Sequence, residues 1–108
     1  MPDKSPSMES ETSDRALLRE FDARDDDVVQ LTIDLIAAPS PNPPGDETAP
    51  TALIAATCRR LGLPEPAVFA SDPRRPNLIL TIEAATAGPH LAFCGHTDTK
   101  PAGEAIAE

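Results

Sequence analysis

The first strong hydrophobic pattern along the chain is an apolar stripe with spacings of three and four. Val28, Leu31 and Leu35 form this stripe, and three acidic residues at positions 25–27 precede it. The spacing is typical of an amphipathic helix, and negative charge is favourable at a helix start. We predict a helix that ends before Pro39, because the residue before a proline disfavours helical backbone.

A second helix is predicted from about Glu47 to Leu61. Arg59 and Arg60 suit its last turn, and Gly62 can adopt the left-handed backbone that ends a helix. The preceding residues, 39–47, begin with a proline-rich stretch that can be neither helix nor central strand, so we interpret this segment as a structural loop without chemistry. The expected buried face of the helix comprises Leu53, Ile54, Thr57, Cys58 and Leu61.

Three later segments have the length and composition of strands. They are residues 67–70, 77–83 and 90–94, and the last two are joined by a small, turn-prone linker that predicts a hairpin or a neighbouring pair. Helices followed by strands indicate an α/β fold with two helices packed on a small mixed sheet. Within its 108 residues the chain has room for one globular unit, which we place at residues 26–108 after a flexible acidic tail over residues 1–25.

Charge and composition narrow the classes of partner. The formal net charge of −9 argues against nucleic acid, because phosphate binding requires clustered basic residues. No apolar run approaches the roughly 20 residues of a membrane span, and the acidic start resembles neither a secretory signal nor a transit peptide. We therefore expect a cytoplasmic protein in which Cys58 and Cys94 are reduced.

The residues with the clearest chemical potential follow the third predicted strand. His96 and Asp98 are two positions apart, so on an extended segment both side chains lie on the same side. A neutral imidazole can bind Zn²⁺ through one nitrogen while a carboxylate accepts a hydrogen bond from the other ring N–H. On spacing alone, however, an ordinary hydrogen-bonded pair is the commoner interpretation.

Other residues that could carry chemistry have simpler explanations. Cys94 could form a thiol–imidazole pair with His96, but its place in an apolar run predicts a buried, inert thiol. His90 at a predicted strand start is most simply a solvated histidine. Arg74 and Arg75 lie between two prolines in a predicted turn, where solvated charge is the simplest interpretation.

One longer stretch resembles a known family. Residues 91–103, Leu-Ala-Phe-Cys-Gly-His-Thr-Asp-Thr-Lys-Pro-Ala-Gly, resemble the first metal-binding block of the aminoacylase/carboxypeptidase G2 zinc metallopeptidases, a family that includes acetylornithine deacetylase and succinyl-diaminopimelate desuccinylase. The first helix, the proline-rich loop, the Cys58 helix and the stretch Arg75-Pro76-Asn77-Leu78 occur in the family's order. The resemblance covers roughly residues 26–104.

The resemblance implies a hydrolase that cleaves N-acyl amide or peptide bonds of small amino-acid derivatives. By position, His96 corresponds to a zinc ligand and Asp98 to the active-site aspartate that steadies it. Two zinc ions, with cobalt or manganese as alternatives, would activate water. The resemblance leaves a homodimer open for the complete enzyme.

Most of that machinery is missing from this sequence. The resemblance implies that the bridging aspartate, the glutamate base and the remaining ligands lie beyond Glu108, so we expect an enzyme fragment that is inactive alone. The alternative is a stand-alone α/β interaction module without catalysis, in which the His96–Asp98 pair is purely structural.

Overall fold

A computed structural model describes residues 8–103, which divide into two units after Ile33. The first unit contains helix α1 (Met8–Asp22) and the start of helix α2 (Asp25–Ala37). Acidic residues occupy the first turn of both helices, where they interact favourably with the helix dipole. The predicted helix around the apolar stripe is thus confirmed as α2, with the acidic residues 25–27 inside its first turn.

Helix α1 differs from the flexible tail expected over residues 1–25. Residues 8–22 are helical, and Thr12 Oγ1 donates to the Met8 carbonyl oxygen at 2.9 Å. The apolar side chains of α1 are nevertheless exposed, including Phe21 at 61%. Local helix propensity and favourable end charges therefore account for this element. The remainder of the predicted tail, residues 1–7, lies outside the described residues.

The second unit contains helix α3 (Thr48–Arg60), which confirms the second predicted helix. Its end has the geometry of a Schellman motif, because Gly62 N–H donates to the Arg59 carbonyl and Leu63 N–H donates to the Cys58 carbonyl. Gly62 has φ of 70°, the left-handed conformation predicted for this helix stop. A glycine adopts this conformation without the steric cost that a side chain brings.

The sheet has two short antiparallel strands, β1 (Ala67–Phe69) and β2 (Asn77–Ile79), paired from Ala67 opposite Ile79 to Phe69 opposite Asn77. Strand β2 also lies beside α3. The fold is therefore a small mixed α/β arrangement, as predicted, with an antiparallel pair as its sheet. Among the helices within residues 8–103, none is long and apolar enough to cross a membrane.

Two strand predictions were wrong in detail. Residues 90–94 form no strand, and the predicted strand over residues 77–83 ends at Ile79. The predicted hairpin between these segments is absent, because β2 pairs with β1 instead. An apolar run becomes a strand only when another strand satisfies its backbone groups, and residues 90–94 have no such pairing within the described chain.

Burial in the second unit centres on α3. Cys58 is 6% exposed and Thr51 is 5% exposed, whereas Leu61, expected on the buried face, is 51% exposed. Leu61 is the cap residue at which α3 ends, and its side chain therefore lies beyond the packed turns. The other members of the predicted face, Leu53, Ile54 and Thr57, are half-buried.

Candidate functional site

The segment that contains His96 and Asp98 runs alongside the proline-rich segment over residues 39–47, here termed the proline loop. Pro41 and Thr99 form a parallel bridge. Asn42 N–H donates to the Thr99 carbonyl at 2.8 Å, and Thr99 N–H donates to the Ser40 carbonyl at 2.9 Å. These backbone hydrogen bonds fix the register of the two segments.

Ser40 adds a side-chain bond to the same pairing. Its hydroxyl donates to the Thr97 carbonyl oxygen at 2.6 Å, and the residue is only 2% exposed. The buried Ser40 hydroxyl and the half-buried Thr97 carbonyl both lose water on folding, so their mutual bond satisfies both groups. The segment that carries His96 and Asp98 is thus attached to the proline loop on both sides of residue 98.

The His96 ring is held by Asp98, as the spacing of the two residues predicted. Nδ1 lies 2.7 Å from the Asp98 backbone oxygen and 3.1 Å from Asp98 Oδ1. A carbonyl oxygen can only accept, so Nδ1 must carry the proton in this arrangement. The lone pair of the neutral ring is therefore on Nε2, which has no hydrogen-bond partner within residues 8–103.

The Asp98 carboxylate is shared between two partners. Asn42 Nδ2 donates to Oδ2 at 2.9 Å, while Oδ1 faces His96. The hydrogen bond from Asn42, followed by that from His96, lowers the pKa of Asp98 below its ordinary value. Arg75 Nη2 is 3.8 Å from Oδ2, at the edge of ion-pair distance. The carboxylate is consequently held in its charged, acceptor-only form.

Glu47 forms a second junction between the proline loop and this segment. One oxygen accepts a hydrogen bond from Thr97 Oγ1, and the other accepts from Arg75 Nε at 3.2 Å. The Glu47 side chain is 13% exposed, and the residue occupies the N-cap position of α3. Its negative charge is therefore supported by an arginine and by the start of a helix. The result is one polar network around residues 96–99.

Sequence reasoning missed the role of the proline loop and of Arg75 in this network. Asn42 and Asp98 are 56 residues apart, and Glu47 and Thr97 are 50 apart, so no local spacing signals these contacts. The interpretation of Arg75 as solvated charge was incomplete, because its head group pairs with Glu47 although 46% of the side chain is exposed. An acid in the loop and an arginine in the turn were the available signals, but neither identifies its partner.

The structure also shows the exposure of the two cysteines and of His90. Cys58 is buried and Cys94 is exposed, and both are free thiols, as predicted. The prediction that Cys94 is buried was wrong, because the apolar run that contains it does not enter a core. His90 is exposed, as expected for a solvated histidine.

The donor set fits a single metal ligand and not a complete metal centre. Zinc sites that catalyse reactions usually take about three protein ligands. Within residues 8–103, no group of three or more His, Cys, Asp and Glu side chains could hold a metal ion. The His96 ring fits a ligand in two respects, because its proton is fixed on Nδ1 and its side chain is 83% exposed.

Comparison with known proteins identifies no relative. No protein-family model, no curated protein and no solved structure matches the chain. The resemblance to zinc metallopeptidases therefore rests on the residues named above.

Proposed function

We propose that this chain supplies one histidine ligand, His96, and its aligning carboxylate, Asp98, to the metal site of a zinc-dependent hydrolase. The enzyme would cleave N-acyl amide or peptide bonds of small amino-acid derivatives. Further ligands and a general base would come from outside the described residues. Asp98 touches the ligand ring and is the residue of this chain that we assign to catalysis.

The observation that carries the proposal is the hydrogen bonding of His96 Nδ1. Two acceptors of Asp98 surround this nitrogen, which leaves the Nε2 lone pair directed away from them. Metal-bound histidines generally donate their other ring N–H to a carboxylate or a carbonyl oxygen. Asp98 provides both kinds of acceptor.

A second support is the convergence of separate sequence segments. The proline loop, Arg75 and residues 96–99 are among the parts that resemble the metallopeptidase family, and these three meet in one polar network. An arrangement of this kind gives a ligand a rigid support, which metal sites require. Bound zinc would supply Lewis-acid polarisation of a carbonyl and acidification of water. Within this chain, His96 would bind the metal and Asp98 would orient the ring.

The first test is a Zn²⁺ titration of the chain, followed through the ¹⁵N signals of its two histidines. Cys94→Ser serves as the background, because the exposed thiol would otherwise compete for zinc. We expect the Nε2 signal of His96 to respond at lower zinc concentration than either ring nitrogen of the exposed His90. In His96→Ala the remaining His90 signals should respond only at the higher zinc concentration seen for His90 in the background chain, and Asp98→Asn should weaken the His96 response by about 10–100-fold.

Equal responses from His90 and His96 would contradict the ligand assignment and favour the non-catalytic interaction module. A companion assay measures hydrolysis of acetylated, succinylated and dipeptide substrates by the 108-residue chain with added Zn²⁺. We expect no activity above background, because one imidazole is too few ligands for catalytic zinc. Turnover that survives repurification and disappears in His96→Ala would contradict the proposed dependence on outside residues.

A further inference from the structure

The side chain of Asn42 connects the proline loop to the His96–Asp98 pair. Its Nδ2 donates to Asp98 Oδ2 at 2.9 Å, and the opposite carboxylate oxygen lies 3.1 Å from His96 Nδ1. We propose that Asn42 is a positioning residue that holds the Asp98 carboxylate against His96 Nδ1 and so keeps the lone pair of His96 on Nε2. The use of that lone pair for metal rests on the proposed function, whereas the orientation itself does not.

Asn42 is well fixed for such a role. Its backbone N–H donates to the Thr99 carbonyl, and prolines on both sides restrict the backbone of the loop. Little additional conformational entropy is therefore lost when its amide binds a carboxylate. A carboxylate cannot donate, so the amide must present its NH₂ group to Asp98.

Arg75 makes the role of Asn42 specific. Arg75 Nη2 lies 3.8 Å from Asp98 Oδ2, the same oxygen that accepts from Asn42. Without the amide, this oxygen would be free to move toward the guanidinium, which binds carboxylates through paired N–H groups. That movement would draw Oδ1 away from His96. Asn42 thus determines whether the Asp98 carboxylate binds His96 or Arg75.

The test uses the metal-free chain at pH about 9, where an ordinary histidine is neutral. We compare the ring ¹⁵N shifts of His96 in the unchanged chain and in Asn42→Asp, which keeps the shape but replaces the donor with an acceptor. The expected result is a wide separation of the Nδ1 and Nε2 shifts in the unchanged chain. Asn42→Asp should narrow it toward the separation of His90, because the two tautomers would then average.

The matched control is Asn77→Asp, since the Asn77 amide donates to the Phe69 carbonyl within the sheet. This control should leave the His96 shifts unchanged. An unchanged His96 separation in Asn42→Asp would overturn the proposal, because the Asp98 backbone oxygen would then be sufficient to fix the tautomer.

A second measurement changes Asp98 and observes Asn42. It therefore does not depend on whether an Asn42 variant folds. Asp98→Asn should shift the side-chain NH₂ signals of Asn42 while those of Asn77 stay in place. The unchanged chain has two asparagines, Asn42 and Asn77, and Asp98→Asn adds a third pair of NH₂ signals that is recognised by its absence from the unchanged chain. Asn42 signals that stay in place in Asp98→Asn would also overturn the proposal.

Discussion

Two adjoining stretches of the second unit differ sharply in how they are held. Residues 96–99 are polar, yet backbone and side-chain hydrogen bonds attach them to the proline loop. Residues 80–94 are much more apolar, but they form no regular element, and Phe93 is 92% exposed. Hydrophobicity therefore did not decide which of these stretches is tied to the rest of the unit.

The difference follows from what each kind of group needs. A polar segment becomes fixed when complementary donors and acceptors lie at the correct distance, as Ser40 and Asn42 provide here. An apolar strand needs an available strand edge as well as a packing surface. Strands β1 and β2 are three residues each and supply little of either.

The largest expected effect in this comparison comes from Ser40→Ala. The variant removes the donor to the Thr97 carbonyl and leaves that oxygen unsatisfied in a part-buried place. The local opening free energy should fall by about 1–3 kcal/mol. Hydrogen exchange of the Thr99 amide, which donates to the Ser40 carbonyl, measures this quantity directly.

Ser71→Ala is the matched control, because Ser71 is exposed and belongs to neither stretch. Exchange of the Thr99 amide should be the same in this control as in the unchanged chain. Equal exchange in Ser40→Ala and the control would mean that the hydroxyl contributes nothing to holding residues 96–99.

Local patterns in the sequence were sufficient for α2 and α3. Gly62 and the apolar spacing are signals within a few residues of the structure that they specify. The His96–Asp98 contact was predictable for the same reason, since two residues at alternate positions face the same side. The Asn42–Asp98 contact depends on tertiary structure that brings positions 56 residues apart together. No periodicity encodes that distance, and none reveals whether residues 90–94 find a strand partner.

Gly45→Ala should have the next largest effect, a loss in the free energy of unfolding. Gly45 has φ of 82°, and a Cβ there would lie 3.3 Å from the Arg75 guanidinium carbon and 3.3 Å from Asn42 Cγ. Left-handed backbone costs a residue with a side chain about 1–2 kcal/mol, and the crowding adds to this cost. Thermal or urea unfolding of the second unit measures the loss.

Gly62→Ala separates the two contributions, because Gly62 has φ of 70° but a Cβ added there would meet nothing within 4 Å. Gly62→Ala should therefore lower the free energy of unfolding only by the cost of the left-handed backbone. A loss in Gly45→Ala no greater than that in Gly62→Ala would contradict close packing of the proline loop against Arg75 and Asn42.

A smaller effect on stability is expected when acidic pH protonates Asp46, which adjoins the start of α3. Its Oδ1 accepts from Thr48 Oγ1 at 2.6 Å and from Thr48 N–H at 3.0 Å, and these hydrogen bonds lower the pKa of Asp46. A carboxyl group with a lowered folded pKa stabilises the fold above its unfolded pKa. That contribution is lost as pH falls through the folded value.

The Thr48 amide signal should therefore titrate with a midpoint below about 3.9, the ordinary value for aspartate. Asp46→Asn keeps a side-chain oxygen but removes the titrating group, so the transition should disappear. A midpoint at or above the ordinary value would show that the Asp46–Thr48 bonds are not maintained in solution.

The smallest expected effect is that of Phe93→Ser in the apolar stretch. A side chain that is 92% exposed has few contacts to lose, and exposed substitutions usually change the free energy of unfolding by less than about 0.5 kcal/mol. Binding of a hydrophobic dye should nevertheless fall, because exposed apolar surface is removed. Cys58→Ala is the contrasting variant, since Cys58 is 6% exposed and its truncation leaves a gap beside α3. Hydrogen exchange of the Thr99 amide could rise in Phe93→Ser as much as in Ser40→Ala. That result would show that the apolar stretch helps to hold residues 96–99, and it would contradict the distinction between the two stretches.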